Sequence, residues 1–394
     1  MEKQFIPYGK QLVDEEDIAA VAEVLRSPWL TTGPVVKHFE KALAEKVGAR
    51  FCVVFNSGTA ALHAAYHSAG VGPGDEVITT PITFAATANA ALYLGAKPVF
   101  VDIAEGSMHI DTKKIKAAVS KRSKLITPVD MAGIPSDMEL IMELAASCNL
   151  VVVEDACHAL GAKYKSLPVG SIADMSVFSF HPVKQVTTGE GGAVTTNNPV
   201  YYRKLQIFRN HGIVREESSF EYTSLLEEEK GFWYYQQQEL GYNYRLSDIN
   251  CALGLSQLNR LDQFVQRRRD IANRYNEAFQ ENPSLILPES SAAGSSTSYE
   301  CDPSWHLYVL RLAGKVPLRK KIVEKLYEEG IGTQVHYIPV YLHPYYQNLG
   351  YKKGLCYHAE DYYSRAFSIP LYPAMSDQDV ERVISTVTSV VDLL

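Results

Sequence analysis

The chain lacks an excess of positive charge, a paired cysteine pattern, a long apolar run and an internal repeat, and each absence removes a class of function. Lys and Arg number 38 against 45 Asp and Glu, a formal charge of −7. That balance gives no basic face for nucleic acid or an anionic membrane, so a bound polyanion has to be met by local donors. Cys52, Cys148, Cys157, Cys251, Cys301 and Cys356 are scattered, with no C-x-x-C pair and no Cys/His spacing of a zinc site. Reduced thiols and no metal are expected. No apolar run approaches the roughly 18–20 residues that span a bilayer. The opening MEKQFIPYGKQLVDEED is charged and without a signal-peptide core, so the expected location is cytoplasmic.

What the chain does have is apolar sequence in a regular order. Its 394 residues are 46% apolar, enough for a substantial core in two domains, or in one large domain with a lobe. From Arg50 to about Asn198 short apolar runs alternate with amphipathic stretches. FCVVF, EVITT, KPVFVDI, KLITPV, LVVVEDA, MSVFSF and GAVTT read as strands, and runs between the first five, such as TAALHAAYHSAG, read as helices. The alternation predicts an α/β fold whose mainly parallel central sheet is covered by helices on both faces. RLSDINCALGLSQLNRLDQFVQRRRDIANRYNEAFQ reads as a long helix or helix pair. HLYVLRL, RKKIVEKLYEEG, IGTQVHYIPV and SDQDVERVISTVTSVVDLL predict a smaller C-terminal α+β domain. The expected division is 1–255 for the large, cofactor-binding domain, its N-terminal segment packing on the small one, and 256–394 for a linking helix and the small domain. Val214 to Glu239 has no clean period and reads as an exposed excursion, and Ser290 to Ser298 as a loop.

Ligands of open α/β sheets sit outside the carboxyl ends of the strands. Four clusters fall there: Asn56 to Thr59, Pro81 to Phe84, Glu154 with Asp155, and Ser179 to Lys184. Lys184 follows SVFSF, stands near His181, and precedes a glycine-rich TTGEGG that lets backbone pack beside a planar group. A lysine amine attacks a carbonyl only after losing its proton, through desolvation or neighbouring cations. Viewed alone, Lys184 is a surface lysine in a loop. Asp155 ends VVVED, where a charge needs an answering group. It is either the N-cap of a following helix or a carboxylate that keeps a pyridine nitrogen protonated. The two residues together point to pyridoxal 5′-phosphate (PLP). Ser57, Gly58 and Thr59 lie between a strand and a helix and either receive a phosphate or simply cap the helix. Ser179 offers the same anion a hydroxyl. Phe84 is a candidate to stack on one face of the ring, with His158 near the other face or the phenolic oxygen, although a core phenylalanine and a satisfied structural histidine are the defaults for single residues of these types. Asn243 and Arg245 precede an apolar helix for which Ser247 is the expected N-cap.

In order and across essentially the whole chain, SPWLTTGP, NSGTAAL, TTPITFAATANA, EDACHALGA, FSFHPVKQVTTGEGGAVTTN, GYNYRLSDINCALGLSQL and QVHYIPVYLHPYYQNLGYKKG form a specific series. It resembles the sugar aminotransferases of the DegT/DnrJ/EryC1/StrS family, which are fold-type I PLP enzymes. The resemblance implies a homodimer with active sites at the subunit interface. There Asn243 would reach the partner's cofactor phosphate and join Ser57, Gly58, Thr59 and Ser179. It also implies the Schiff-base role for Lys184, the pyridine-nitrogen role for Asp155 and ring stacking for Phe84. HALG, SFHPVK and QVHYIP are most similar to the pseudaminic acid branch, which aminates C4 of a UDP-linked 4-keto-6-deoxy-N-acetylhexosamine with L-glutamate as donor. By the same resemblance Tyr8, Trp29, Leu30, Thr31, Gln334, His336 and Tyr337 are expected sugar-nucleotide contacts.

The resemblance further implies ping-pong transfer. The donor amine is left as pyridoxamine phosphate (PMP), then passed to the keto sugar, with the freed lysine amine moving the proton in both halves. Transfer to C3 or to a dTDP-linked sugar is an alternative. So is a dehydratase of the same family, but in the known 3-dehydratases histidine replaces the lysine, and Lys184 is retained. A non-catalytic sensor would usually carry a fused DNA-binding segment, and no basic helix-turn-helix stands beside this domain.

Overall fold

The computed structural model describes residues 4–222, 225, 228, 230–288, 299–313 and 318–393. The seven apolar runs become the strands of one sheet: β1 (Phe51–Phe55), β2 (Glu76–Thr79), β3 (Lys97–Phe100), β4 (Ser123–Thr127), β5 (Val151–Asp155), β6 (Met175–Ser179) and β7 (Gly192–Thr196). Their order is β1-β7-β6-β5-β4-β2-β3. The neighbours from β6 to β3 run parallel, and β7 runs against both β1 and β6. The reversal matters for the site. Because β7 returns from β6 by a hairpin, Gly192 lies opposite both Phe55 and Ser179, and the Lys184 loop closes over the sheet edge at which the parallel strands end.

Alternate side chains of each strand face opposite layers. The helices of those layers are α1 (Glu15–Arg26), α2 (Pro34–Val47), α3 (Gly58–Ser68), α4 (Ala85–Tyr93), α5 (Thr112–Ala118), α6 (Met138–Cys148), α7 (Pro199–Arg209), α8 (Asp248–Asn259) and α9 (Leu261–Phe279). Val53 and Phe55 join α3, α4 and α7 in one core cluster, whereas Cys52 and Val54 join α2, α8 and α9 in another. Ile78, Ile126 and Val152 pack with α5 and α6. Ser247 caps α8 as expected, accepting from Asn250 N–H at 3.2 Å. The long apolar-periodic run is a helix pair, because Arg260 leaves helical geometry at φ −105°, ψ 4° between α8 and α9.

Beyond α9 lie an antiparallel sheet, β8 (Leu285–Ile286), β9 (Tyr308–Leu312) and β10 (Ala366–Ile369), and helices α10 (Leu318–Glu328), α11 (Pro344–Asn348), α12 (Tyr357–Arg365) and α13 (Asp377–Asp392). Tyr275 and Phe279 of α9 share a core there with Tyr308, Phe367, Val383 and Val387. Ile6 belongs to the same cluster and pairs with Ile331. Within the excursion, Ile213–Val214 pairs with Gln236–Gln237 in a short ribbon. The Ser290–Ser298 stretch lies outside the described residues. Among the described residues no helix is long and apolar enough to cross a membrane.

A Cβ on Gly192 would stand 2.6 Å from the Ser57 carbonyl carbon and oxygen and 2.7 Å from Gly58 Cα. That contact is with backbone, which cannot swing aside. Gly192→Ala is therefore expected to cost about 1–3 kcal/mol through overpacking, by driving β7 away from the start of α3. Denaturant unfolding checks this, and a wild-type midpoint would contradict it.

Candidate active site

The loop between β6 and β7 is closed on itself by Phe180 N–H to Gly191 O (2.9 Å) and Thr188 N–H to Phe180 O (3.0 Å). Lys184 projects from this loop into a cavity of about 670 Å³, which Tyr8, Gly58, Thr59, Phe84, Asp155, His158, Ser179, Gln334, His336 and Tyr337 also line. Residues far apart in the chain converge because β1, β5 and β6 all end at this edge.

Burial pushes the Lys184 amine down to about 8, with Arg268 adding to the effect and Cys157 and Asp155 opposing it. Its hydrogen-bonding neighbour is His306 Nε2, 3.4 Å from Nζ. Asp155 is 5% exposed. Its Oδ2 accepts from the Thr87 hydroxyl at 2.7 Å and its Oδ1 from Cys157 N–H at 3.2 Å. Turns rather than a helix follow it, so the helix-capping alternative for Asp155 fails. The adjacent Glu154 belongs to a different environment. It accepts from Ser176 Oγ at 2.6 Å, and burial raises both its carboxyl and that of its neighbour Asp130. Neither member of that pair lines the cavity, whereas Asp155 does.

Helix α3 begins at the same place. Ser57 Oγ accepts from Ala60 N–H at 3.1 Å and so caps the helix, which leaves its O–H as a donor; Ser57 is not among the residues that line the cavity. Gly58 and Thr59 are on that wall, and N–H groups in a first helical turn have no intrahelical acceptor. A Cβ at Gly58 would come within 3.0 Å of Ser179 Cβ and 3.3 Å of its Oγ, so glycine is what lets the helix start abut Ser179.

Phe84 is not a core residue: it is 60% exposed, and its ring lies 6.1 Å from that of Tyr337. The Tyr337 hydroxyl is 3.4 Å from His158 Nε2. Burial lowers the His158 imidazole well below its ordinary value. His336 Nδ1 is 2.8 Å from Ser368 Oγ, and burial, aided by Lys184, pushes His336 down to about 3. Both rings are neutral near pH 7.

Besides Ser57, four expected residues are not brought to this cavity. Trp29 and Leu30 are 55% and 47% exposed, Thr31 is exposed beside them, and Leu30 O accepts from Asp248 N–H. They occupy the turn between α1 and α2. Asn243 pairs with Asn210, and its carbonyl accepts from Asn56 Nδ2 at 3.3 Å. Conversely, sequence reasoning missed Thr87, Cys157, His306 and the buried Arg268. Arg268 carried a signal, since it interrupts the apolar face Phe264, Val265, Ile271, Ala272 and Tyr275 of α9 at helical spacing.

These groups suit PLP: free N–H groups and a hydroxyl for a phosphate, a carboxylate for a pyridine nitrogen and a desolvated amine for an aldehyde. Among the described residues no cluster of His, Cys, Asp and Glu could hold a metal ion. The family model described as the DegT/DnrJ/EryC1/StrS aminotransferase family matches residues 11–388.

The chain belongs to the DegT/DnrJ/EryC1/StrS aminotransferase family.

It is 44% identical over 391 residues to the spore coat polysaccharide biosynthesis protein SpsC of Bacillus subtilis, covering 98% of this chain and 97% of that one. It is 40% identical over 391 residues to the UDP-4-amino-4,6-dideoxy-N-acetyl-beta-L-altrosamine transaminase of Campylobacter jejuni, covering 98% of each. Among solved structures, Helicobacter pylori PseC, an aminotransferase involved in pseudaminic acid biosynthesis, superposes with a TM-score of 0.90 at 34% identity, covering 99% of this chain and 100% of that one. The fold is therefore that of the fold-type I aminotransferases, and DegT/DnrJ/EryC1/StrS aminotransferases use PLP.

An amine whose pKa is about 8 loses its proton well before an exposed lysine, near 10.4, does. The rate at which the apoenzyme captures added PLP is expected to rise with pH to a midpoint near 8. Stopped-flow absorbance measures it, and a midpoint at the ordinary lysine value would show that Nζ is not desolvated.

Proposed function

We propose that this protein transfers the amino group of L-glutamate to C4 of a UDP-linked 4-keto-6-deoxy-N-acetylhexosamine. The observation that carries the reading is the meeting, in one cavity, of a desolvated Lys184, the Thr87-anchored Asp155 and the open start of α3. The likeness to the Campylobacter transaminase over 98% of both chains supports the sugar.

PLP, when bound, supplies an aldehyde that holds the migrating amine and a ring that draws off the electrons left when a proton is removed beside it. The protein's residues do the rest. Gly58, Thr59 and Ser179 bind the phosphate, the first two at the positive end of α3. Asp155 would accept the ring N–H and keep that nitrogen protonated. Its own orientation is set by Thr87 Oγ1 and Cys157 N–H. Phe84 and His158, both on the cavity wall, would flank the ring. Lys184 Nζ moves the proton, taking one from Cα of glutamate in the first half-reaction and delivering one to C4 of the sugar in the second. An amine with a pKa of about 8 is suited to both tasks near neutral pH, because it neither holds nor refuses a proton strongly.

Tyr8, Gln334, His336 and Tyr337 form the side of the cavity contributed by the N-terminal segment and the small domain, and in this reading they contact the sugar nucleotide. Trp29, Leu30, Thr31 and Asn243 act through a homodimer, in which a second copy lays them against the first copy's site, Asn243 on the phosphate. Ser57 serves the phosphate indirectly, by capping α3. The enzyme works in the cytoplasm, where nucleotide sugars are made.

Incubation of the purified protein with glutamate and a panel of UDP- and dTDP-linked 3-keto and 4-keto sugars, followed by NMR of the products, tests the reading. The expected product is the UDP-linked 4-amino sugar, with kcat/KM favouring it over the dTDP and 3-keto substrates by roughly 10-fold or more. A 3-amino product would overturn the C4 assignment.

A further inference from the structure

We propose that His306 is the hydrogen-bond acceptor that aims the Lys184 amine, a positioning role in the reaction. It rests on Lys184 being the cofactor lysine for its kinetic consequence, though not for the hydrogen bond itself. His306 approaches from the segment that leads into β9, 122 positions along the chain from Lys184, and its Nε2 stands 3.4 Å from Nζ.

The imidazole is held from several sides. It is 4% exposed, and its ring centroid lies 4.3 Å from that of His158. Its backbone N–H donates to Ala132 O at 2.8 Å, and its carbonyl accepts from Arg268 Nη1 at 3.2 Å. Arg268 is almost wholly buried, and it also donates to Trp305 O (3.3 Å), Leu371 O (2.8 Å) and, through Nη2, Val183 O (3.5 Å). One guanidinium thus fastens the residue before Lys184 and His306 itself to the same rigid group. The pairing of Nε2 with Nζ is a consequence of that shared anchor.

The chemistry of the two nitrogens then fixes their roles. An ammonium has donors and no lone pair, so the imidazole nitrogen facing it has to be bare. The ring proton is therefore on Nδ1, a buried atom with no hydrogen-bond partner in this structure, so the contact with Lys184 has to outweigh the cost of an unpaired N–H. The charged and titratable groups around the pair are Asp155 and Cys157 from the end of β5 and the turn after it, His158 from that turn, His336 from the small domain and Arg268 from α9. Burial keeps the His306 imidazole well below its ordinary pKa, and Lys184, His158, Arg268 and His336 each push the same way. His306 accepts a hydrogen bond without taking the proton, so Lys184 remains the base. A lysine released from a covalent partner has four rotatable bonds to search. A fixed acceptor shortens that search and points the remaining lone pair or N–H toward the reacting carbon.

The test combines a spectroscopic and a kinetic measurement. Nitrogen-15 NMR of the apoprotein, with the signal assigned by its loss in His306→Gln, is expected to show a neutral ring with bare Nε2 near pH 7, where Lys184 is mostly an ammonium. An imidazolium or an Nε2–H tautomer overturns the proposal. His306→Phe is expected to lower kcat roughly 30-fold or more, with KM for glutamate changed less than about threefold. It should also move the midpoint of PLP capture below that of the wild type, because an acceptor that favours the ammonium has been removed. His306→Gln, whose amide oxygen can accept in place of Nε2, should recover much of both. Wild-type kcat and midpoint in His306→Phe overturn the role of His306, and loss of PLP capture in a Lys184→Ala control run alongside shows that the role of Lys184 stands regardless. If His306→Phe does not fold, the NMR result and His306→Gln decide.

Discussion

Everything at this site depends on the desolvation of one amine. At pH 7 an exposed lysine, with a pKa near 10.4, is unprotonated in about one molecule in 2,500. With its pKa at about 8, roughly one Lys184 amine in ten is free, some two orders of magnitude more. Asp155 and Cys157 oppose this shift, and burial wins against them. A fully exposed lysine beside the same carboxylate would stay charged, and a site without the carboxylate would leave a pyridine nitrogen unanswered. The structure satisfies both demands by making Asp155 a hydrogen-bond acceptor for Thr87 and for backbone, not the partner of an ion pair with the lysine.

The fold makes this possible through one departure from a wholly parallel sheet. Had β6 led into a helix, as β1 does, the residues after it would have run away from the strand edge. Instead the chain turns back as β7, its loop pinned through Phe180, Gly191 and Thr188, and Lys184 is folded over the strand ends. The same reversal inserts Gly192 between β1 and β6, where the backbones of Ser57 and Gly58 leave no room for a side chain. The phosphate cradle and the lysine loop are thus two parts of one packing arrangement.

Much of this was legible in the sequence, because its signals are local. Seven apolar runs, the Asp at the end of one and the Lys beyond another identify strands and strand ends without knowledge of the tertiary structure. The alternatives left open were decided by features that a sequence does not display. Asp155 had a capping alternative until the chain after it proved to form turns. Phe84 had the usual core alternative until its ring proved exposed at the cavity mouth. His306 and Arg268 lay in segments that read simply as a strand and a helix, and only the tertiary packing of those segments brings His306 to the lysine and Arg268 to the carbonyl of the residue before it. Trp29, Leu30, Thr31 and Asn243 show the converse. Their motifs were readable, but a single chain keeps them on its surface or on a neighbouring turn.

The most direct test of the account is covalent. Holoenzyme reconstituted with PLP, reduced with borohydride and digested should yield, by mass spectrometry, one pyridoxyl adduct, on the peptide that contains Lys184. An adduct on any other lysine, or no adduct in enzyme that binds PLP and turns over, would contradict it.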